Sequence, residues 1–85
     1  MEVQMKTIVS YLFEGPAHWT GLSPGEIARR EYDSKADAFI PNEGDSLIIQ
    51  WGPTANQSNT FVVKGVKTSI WKDSDDHMVI VAAGD

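Results

Sequence analysis

The stretch that decides the fold is Phe61-Val62-Val63-Lys64-Gly65-Val66-Lys67-Thr68-Ser69-Ile70-Trp71-Lys72. Its β-branched and aromatic residues favour the pleated backbone of a strand. Strict alternation breaks inside it, because period two from Phe61 and Val63 leads on to Gly65, Lys67 and Ser69 and would turn the core side polar. One extra residue at a β-bulge near Gly65 restores the pattern, since a bulge sets two residues opposite one and glycine often marks it. Phe61, Val63, Val66 and Ile70 then face the core, and Lys64, Lys67 and Trp71 face out together.

The segments on either side fit a meander around this strand. Downstream, Asp73-Ser-Asp-Asp-His77 reads as a turn, and Met78, Ile80 and Ala82 alternate with Val79 and Val81. Both parities are apolar, so the last strand is expected to be central or covered on both faces. Upstream, Gly52 to Asn59 forms an eight-residue polar loop, expected to be mobile. Before it, Leu47, Ile49 and Trp51 oppose Ile48 and Gln50 as another strand. Pro41 holds Ile40 extended, and Gly44 can supply a positive φ in the turn Asn42–Asp45.

The N-terminal third begins with a half-buried strand in which Val3, Met5, Val9, Tyr11 and Phe13 share one parity, with Thr7 among them. Glu14 to Gly21 is a loop carrying His18 and Trp19. Leu22-Ser23-Pro24-Gly25-Glu26-Ile27 then has the form of a helix start: Ser23 as N-cap, Pro24 at the first helical position, Glu26 closing a capping box, and Leu22 with Ile27 as a hydrophobic staple. The helix would end near Tyr32, with Ile27, Ala28 and Tyr32 docked on the sheet and Glu26 paired to Arg30. A strand over Ile27–Tyr32 is the rival, and the shared parity of Ile27 and Arg29 argues against it. The expected fold is α+β: a small curved antiparallel sheet of four to five strands, open or closed as an SH3-like or OB-like barrel, with one short helix near residues 23–32.

At 85 residues the chain is one domain, residues 1–85, with room for a single core. Its 41% hydrophobic and 22% charged residues are globular composition, not that of a disordered chain. No cysteine is present, which excludes disulfides, thiolate metal sites and thiol nucleophiles. A formal charge of −5 and a pI of about 4.8 argue against a duplex DNA binder with a broad basic surface. No run reaches the ~18 apolar residues of a membrane helix, so no membrane partner is expected. Met1–Phe13 has one lysine, an apolar run broken by Ser10 and no small-residue cleavage site, so it reads as structure, and the expected location is cytoplasmic.

No constellation of catalytic residues emerges, and the chain is read as a non-enzyme. His18 and His77 are the only histidines, no serine lies in a nucleophile elbow, and no glycine-rich cradle suggests a nucleotide or other cofactor. Arg29-Arg30 reads as a solvated helix face, and a helix-turn-helix is rejected because no recognition helix follows. Asp73, Asp75, Asp76 and His77 are weak candidates for a divalent-metal site, since hard cations take oxygen ligands, but the EF-hand spacing is not met.

The sharpest asymmetry lies in residues 46–72, which hold no Asp or Glu but contain Lys64, Lys67, Lys72, two tryptophans and Phe61. The expected binding face is Lys64, Lys67 and Trp71, with Trp19. An exposed aromatic among lysines suits a protein partner, or self-association, with tryptophan as anchor. The same parts suit single-stranded nucleic acid, whose bases stack on the ring. The plainer alternative places Trp51 and Trp71 in the core and the lysines on a sheet edge that resists aggregation. The leading expectation is a non-enzymatic protein-binding accessory or inhibitor module, followed by a single-stranded nucleic-acid binder and then a metal site at Asp73–His77.

Overall fold

A computed structural model describes residues 6–15, 22 and 24–84. Five strands form one sheet: β1 (Lys6–Phe13), β2 (Gly25–Tyr32), β3 (Ser46–Gln50), β4 (Ser58–Ile70) and β5 (Ser74–Ala83). Their spatial order is β2-β1-β5-β4-β3, and the sheet curls into a half-barrel. The meander β3-β4-β5 is antiparallel, and so is β1 with β2. The two halves are joined by a parallel pairing of β1 with β5, which puts β5 at the centre of the sheet.

The bulge in β4 lies between Val63 and Gly65, with Lys64 as the extra residue. Across it, Val63 pairs with Val81 and Val66 with Val79, so both stay on the concave face. Rows of side chains follow from the register: Phe13, Val81 and Val63, then Tyr11, Val79 and Val66. Val9, Phe61, Val63, Val79 and Val81 are almost fully buried. Phe13 meets Phe61 edge-on, ring centroids 5.6 Å apart at 77°, a geometry worth about 0.5–1.5 kcal/mol beyond area burial. Leu47, Trp51 and Val66 pack against this core. Trp51 also donates from Nε1 to Asn59 Oδ1 at 2.8 Å, which satisfies its polar edge while the ring is half-buried.

The expected helix is a strand. Residues 25–32 pair with β1 from Gly25 opposite Phe13 to Tyr32 opposite Thr7. The register shifts where Tyr11 faces Ala28 and Leu12 faces Glu26, which makes Ile27 a bulged extra residue. That insertion moves Ile27 out of step, and it is why the alternation looked poor. Beyond it, Ala28, Arg30 and Tyr32 lie on the concave side opposite Tyr11, Val9 and Thr7. Gly25 has φ of +128°, a conformation outside the helical region. The Glu26–Arg30 helical pair is replaced by an exposed Arg29–Glu31 contact of 3.4 Å. The helical content among the described residues is one 3₁₀ turn, Lys35–Asp37.

Other expectations shift by smaller amounts. Ile70 is 78% exposed rather than buried, because it pairs with Asp75 at the far end of the β4–β5 hairpin, beyond the apolar rows. The hairpin turn is tighter than expected: Trp71 N–H donates to Ser74 O at 2.9 Å, and Ser74–His77 belong to β5. Strand β4 begins at Ser58, so the preceding loop is shorter and is held by Gln57, whose carbonyl accepts from Trp51 N–H at 2.8 Å. Gly44 does adopt a positive φ, +93°. His18 and residues 1–5 lie outside the described residues. Phe61→Ala is predicted to remove about 3–5 kcal/mol of stability. Ile48→Ala, at a position 79% exposed, should change it by less than ~0.5 kcal/mol. Urea unfolding of both variants checks the contrast.

Candidate binding cleft and outer face

Curling without closure brings the two edge strands of the sheet to either side of a cleft of about 370 Å³. One wall is Ala28, Arg30 and Tyr32 of β2 with Tyr11 behind them; the other is Phe39 and the β3 residues Leu47–Gln50. Each wall residue is placed by the register. Arg30 stands opposite Val9 and Tyr32 opposite Thr7, so both share the face that carries the core. Phe39 and Ile48 are 55% and 79% exposed at the opposite lip.

The two edges differ. Strand β2 carries Glu26, Arg29, Arg30 and Glu31, whereas Ser46-Leu-Ile-Ile-Gln50 has no charge. Trp51 N–H donates to Gln57 O, and Asp45 O accepts from Val63 N–H at 2.9 Å. By the two-residue alternation of an antiparallel ladder, Leu47 and Ile49 bond to β4. The backbone groups of Ser46, Ile48 and Gln50 therefore point to the open side, unpaired by any strand among the described residues. An uncharged edge without proline or bulge is a template for a further strand.

Tyr11 is 8% exposed. Burial pushes its phenol above the ordinary value of 10.0, Tyr32 nearby adds to the rise, and the Arg30 guanidinium opposes it. The Tyr11 hydroxyl is thus a neutral hydrogen-bond donor at physiological pH. Among the described residues, Arg30 makes no ion pair; the single arginine contact is that of Arg29 with Glu31.

The expected face of Lys64, Lys67 and Trp71 lies on the outer side of the sheet. Lys64 is the exposed bulge residue, and Lys67 is exposed opposite Met78. Trp71 is 57% exposed, and its Nε1 donates to Asp76 Oδ2 at 2.8 Å. It borders a depression of about 330 Å³ with Ile8, Leu12 and Met78, where Glu26, Arg29 and Asp76 also stand. Trp19 lies outside the described residues.

The Asp73–His77 cluster is dispersed by strand geometry. Asp75 and His77 alternate with Asp76, so they point to opposite faces, and Asp73 stays in the turn. His77 is 4% exposed on the concave side, with Nδ1 3.0 Å from Thr68 Oγ1. Among the described residues, no three His, Asp or Glu side chains converge to hold a cation.

Sequence reasoning missed Arg30, Tyr32, Phe39 and Ile48. The signal was the alternation Ala28, Arg30, Tyr32 against Arg29, Glu31, hidden behind the helix-start pattern. Comparison with family models, with curated proteins and with solved structures returns no match. Also, no helix among the described residues is long and apolar enough to cross a membrane.

Because the folded phenol of Tyr11 is raised, the stability it contributes is full below pH ~10 and lost as pH rises through the folded value. A phenolate absorbance titration should show one late-ionising tyrosine. Arg30→Gln should push that ionisation higher, Tyr32→Phe should bring it down, and Tyr11→Phe should abolish it.

Proposed function

We propose that this chain is a non-enzymatic protein-binding module that receives an extended segment of a partner along the open edge of β3, in the cleft facing β2. The observation that carries the reading is the uncharged, unpaired edge at Ser46–Gln50 beside a preformed cleft. Strand addition gains affinity from main-chain hydrogen bonds and specificity from pockets for alternate side chains. Ile48 supplies the free backbone groups, while Leu47, Ile49 and Tyr11 supply an apolar floor. Among the described residues, the cleft lining offers no carboxylate and no imidazole, the groups that acid–base catalysis most often uses.

The outer face carries the nucleic-acid reading, through Lys64, Lys67 and the exposed Trp71 ring. Asp76 on the Trp71 indole and Glu26 in the same depression weigh against it, because both would repel phosphates.

Proline at position 48 removes an N–H that bonds nothing within the sheet, and edge strands tolerate proline. Ile48→Pro should therefore fold while blocking strand addition. A random dodecapeptide phage library selected on the wild-type chain should yield clones whose affinity falls at least tenfold on Ile48→Pro, with little loss on Trp71→Ala. Clones indifferent to Ile48→Pro, or no clones at all, would overturn the reading; loss on Trp71→Ala or Lys67→Glu instead would move the interface to the outer face.

A further inference from the structure

We infer that the segment bound in this cleft presents an acidic side chain to Arg30. The inference rests on the docking reading above and adds the partner's chemistry.

The argument is one of charge complementarity. Arg30 lies on a cleft wall otherwise lined by apolar and uncharged polar groups. Its neighbour Arg29 points to the opposite face and meets Glu31 there, so that pair does not neutralise the cleft. On the concave face of the sheet the acidic position closest in register is Asp75, opposite Thr7 on β5, two strands and two residues from Arg30. Guanidinium is planar and offers parallel N–H donors that match a carboxylate. Tyr11, kept protonated by burial, and Tyr32 put two further hydroxyls on the same wall.

The strand-addition geometry supports the placement. A segment paired to β3 lies between β3 and β2, and every second side chain points to the concave side. Those side chains face Leu47 and Ile49 from one side and Arg30, with Tyr11 behind it, from the other. One acidic residue between two apolar ones at alternate positions therefore fills the cleft. A single guanidinium among apolar walls suits one carboxylate better than a phosphate chain, which needs successive cations.

Two heptapeptide display libraries, random except for a fixed central Glu or Gln, are selected on the whole chain and on Arg30→Gln and Ile48→Pro. The Glu library should enrich at least tenfold over the Gln library on the wild type. That preference should vanish on Arg30→Gln, while the enrichment itself is lost on Ile48→Pro. Equal enrichment of both libraries that still depends on Ile48 would overturn the carboxylate inference and leave strand addition standing. No Ile48-dependent enrichment from either would overturn both. Binding of a thymidine decanucleotide in the same buffer, lost on Arg30→Gln, would replace the acidic peptide by nucleic acid.

Discussion

The structure depends on keeping one apolar face along a strand too long to do so by simple alternation. Strand β4 runs for 13 residues, and the extra residue at Lys64 resets its parity midway. Were the same residues to alternate regularly with no bulge, Val66 would leave the side occupied by Phe61 and Val63, and the row Tyr11, Val79, Val66 would lose one member. A bulge also bends its strand and increases local twist. The second bulge, at Ile27 in β2, acts on the other half of the sheet. With both halves bent, the edge strands β2 and β3 come to face each other across the cleft. Packing and the cleft thus have a common cause in two bulges.

The same device was readable in one strand and unreadable in the other. In β4 a glycine marks the bulge, and the residues on each side alternate cleanly once it is allowed. In β2 the bulged residue is Ile27, which carries no such mark, and Ser23-Pro24-Gly25-Glu26 imitates a capped helix. Local propensity favoured the helix; pairing with β1 decided for the strand, because the extended form adds a backbone ladder to β1 while Ala28 and Tyr32 still pack against the core. The meander and the central place of β5 were legible from apolar parity. The parallel pairing of β1 with β5 was not, since periodicity states which face is buried and is silent on which strand lies beside which. Arg30 was lost with the helix: on a helix, Arg29 and Arg30 share a solvated surface, whereas on a strand they part to opposite faces.

Stability is distributed unevenly along the strands. At one end the concave face carries Phe13, Val81, Val63 and Phe61, all buried and apolar. At the other end the same face carries Thr7, His77 and Thr68, and Ile70 stands exposed. There, Asp76 Oδ1 and His77 Nε2 are buried and have no hydrogen-bond partner among the described residues. Such groups cost about 1–3 kcal/mol each. Local opening should therefore begin at the β4–β5 turn and leave the aromatic end intact. Arg30 and Tyr32 stand opposite Val9 and Thr7, toward this less apolar end.

The two edges left unpaired among the described residues are unequal, and that inequality would orient an added strand. A segment approaching β2 meets Glu26, Arg29, Arg30 and Glu31, whose hydrated charges must be displaced or matched before backbone bonds form. A segment approaching β3 meets uncharged side chains and the open backbone groups of Ser46, Ile48 and Gln50. Pairing with β3 would therefore require little desolvation of charge, and β2 stands across the cleft as a wall carrying Arg30, which has no ion pair among the described residues. The charged edge resists non-specific pairing and the neutral edge permits it, so an open half-barrel can offer one selective docking line in place of two adhesive ones.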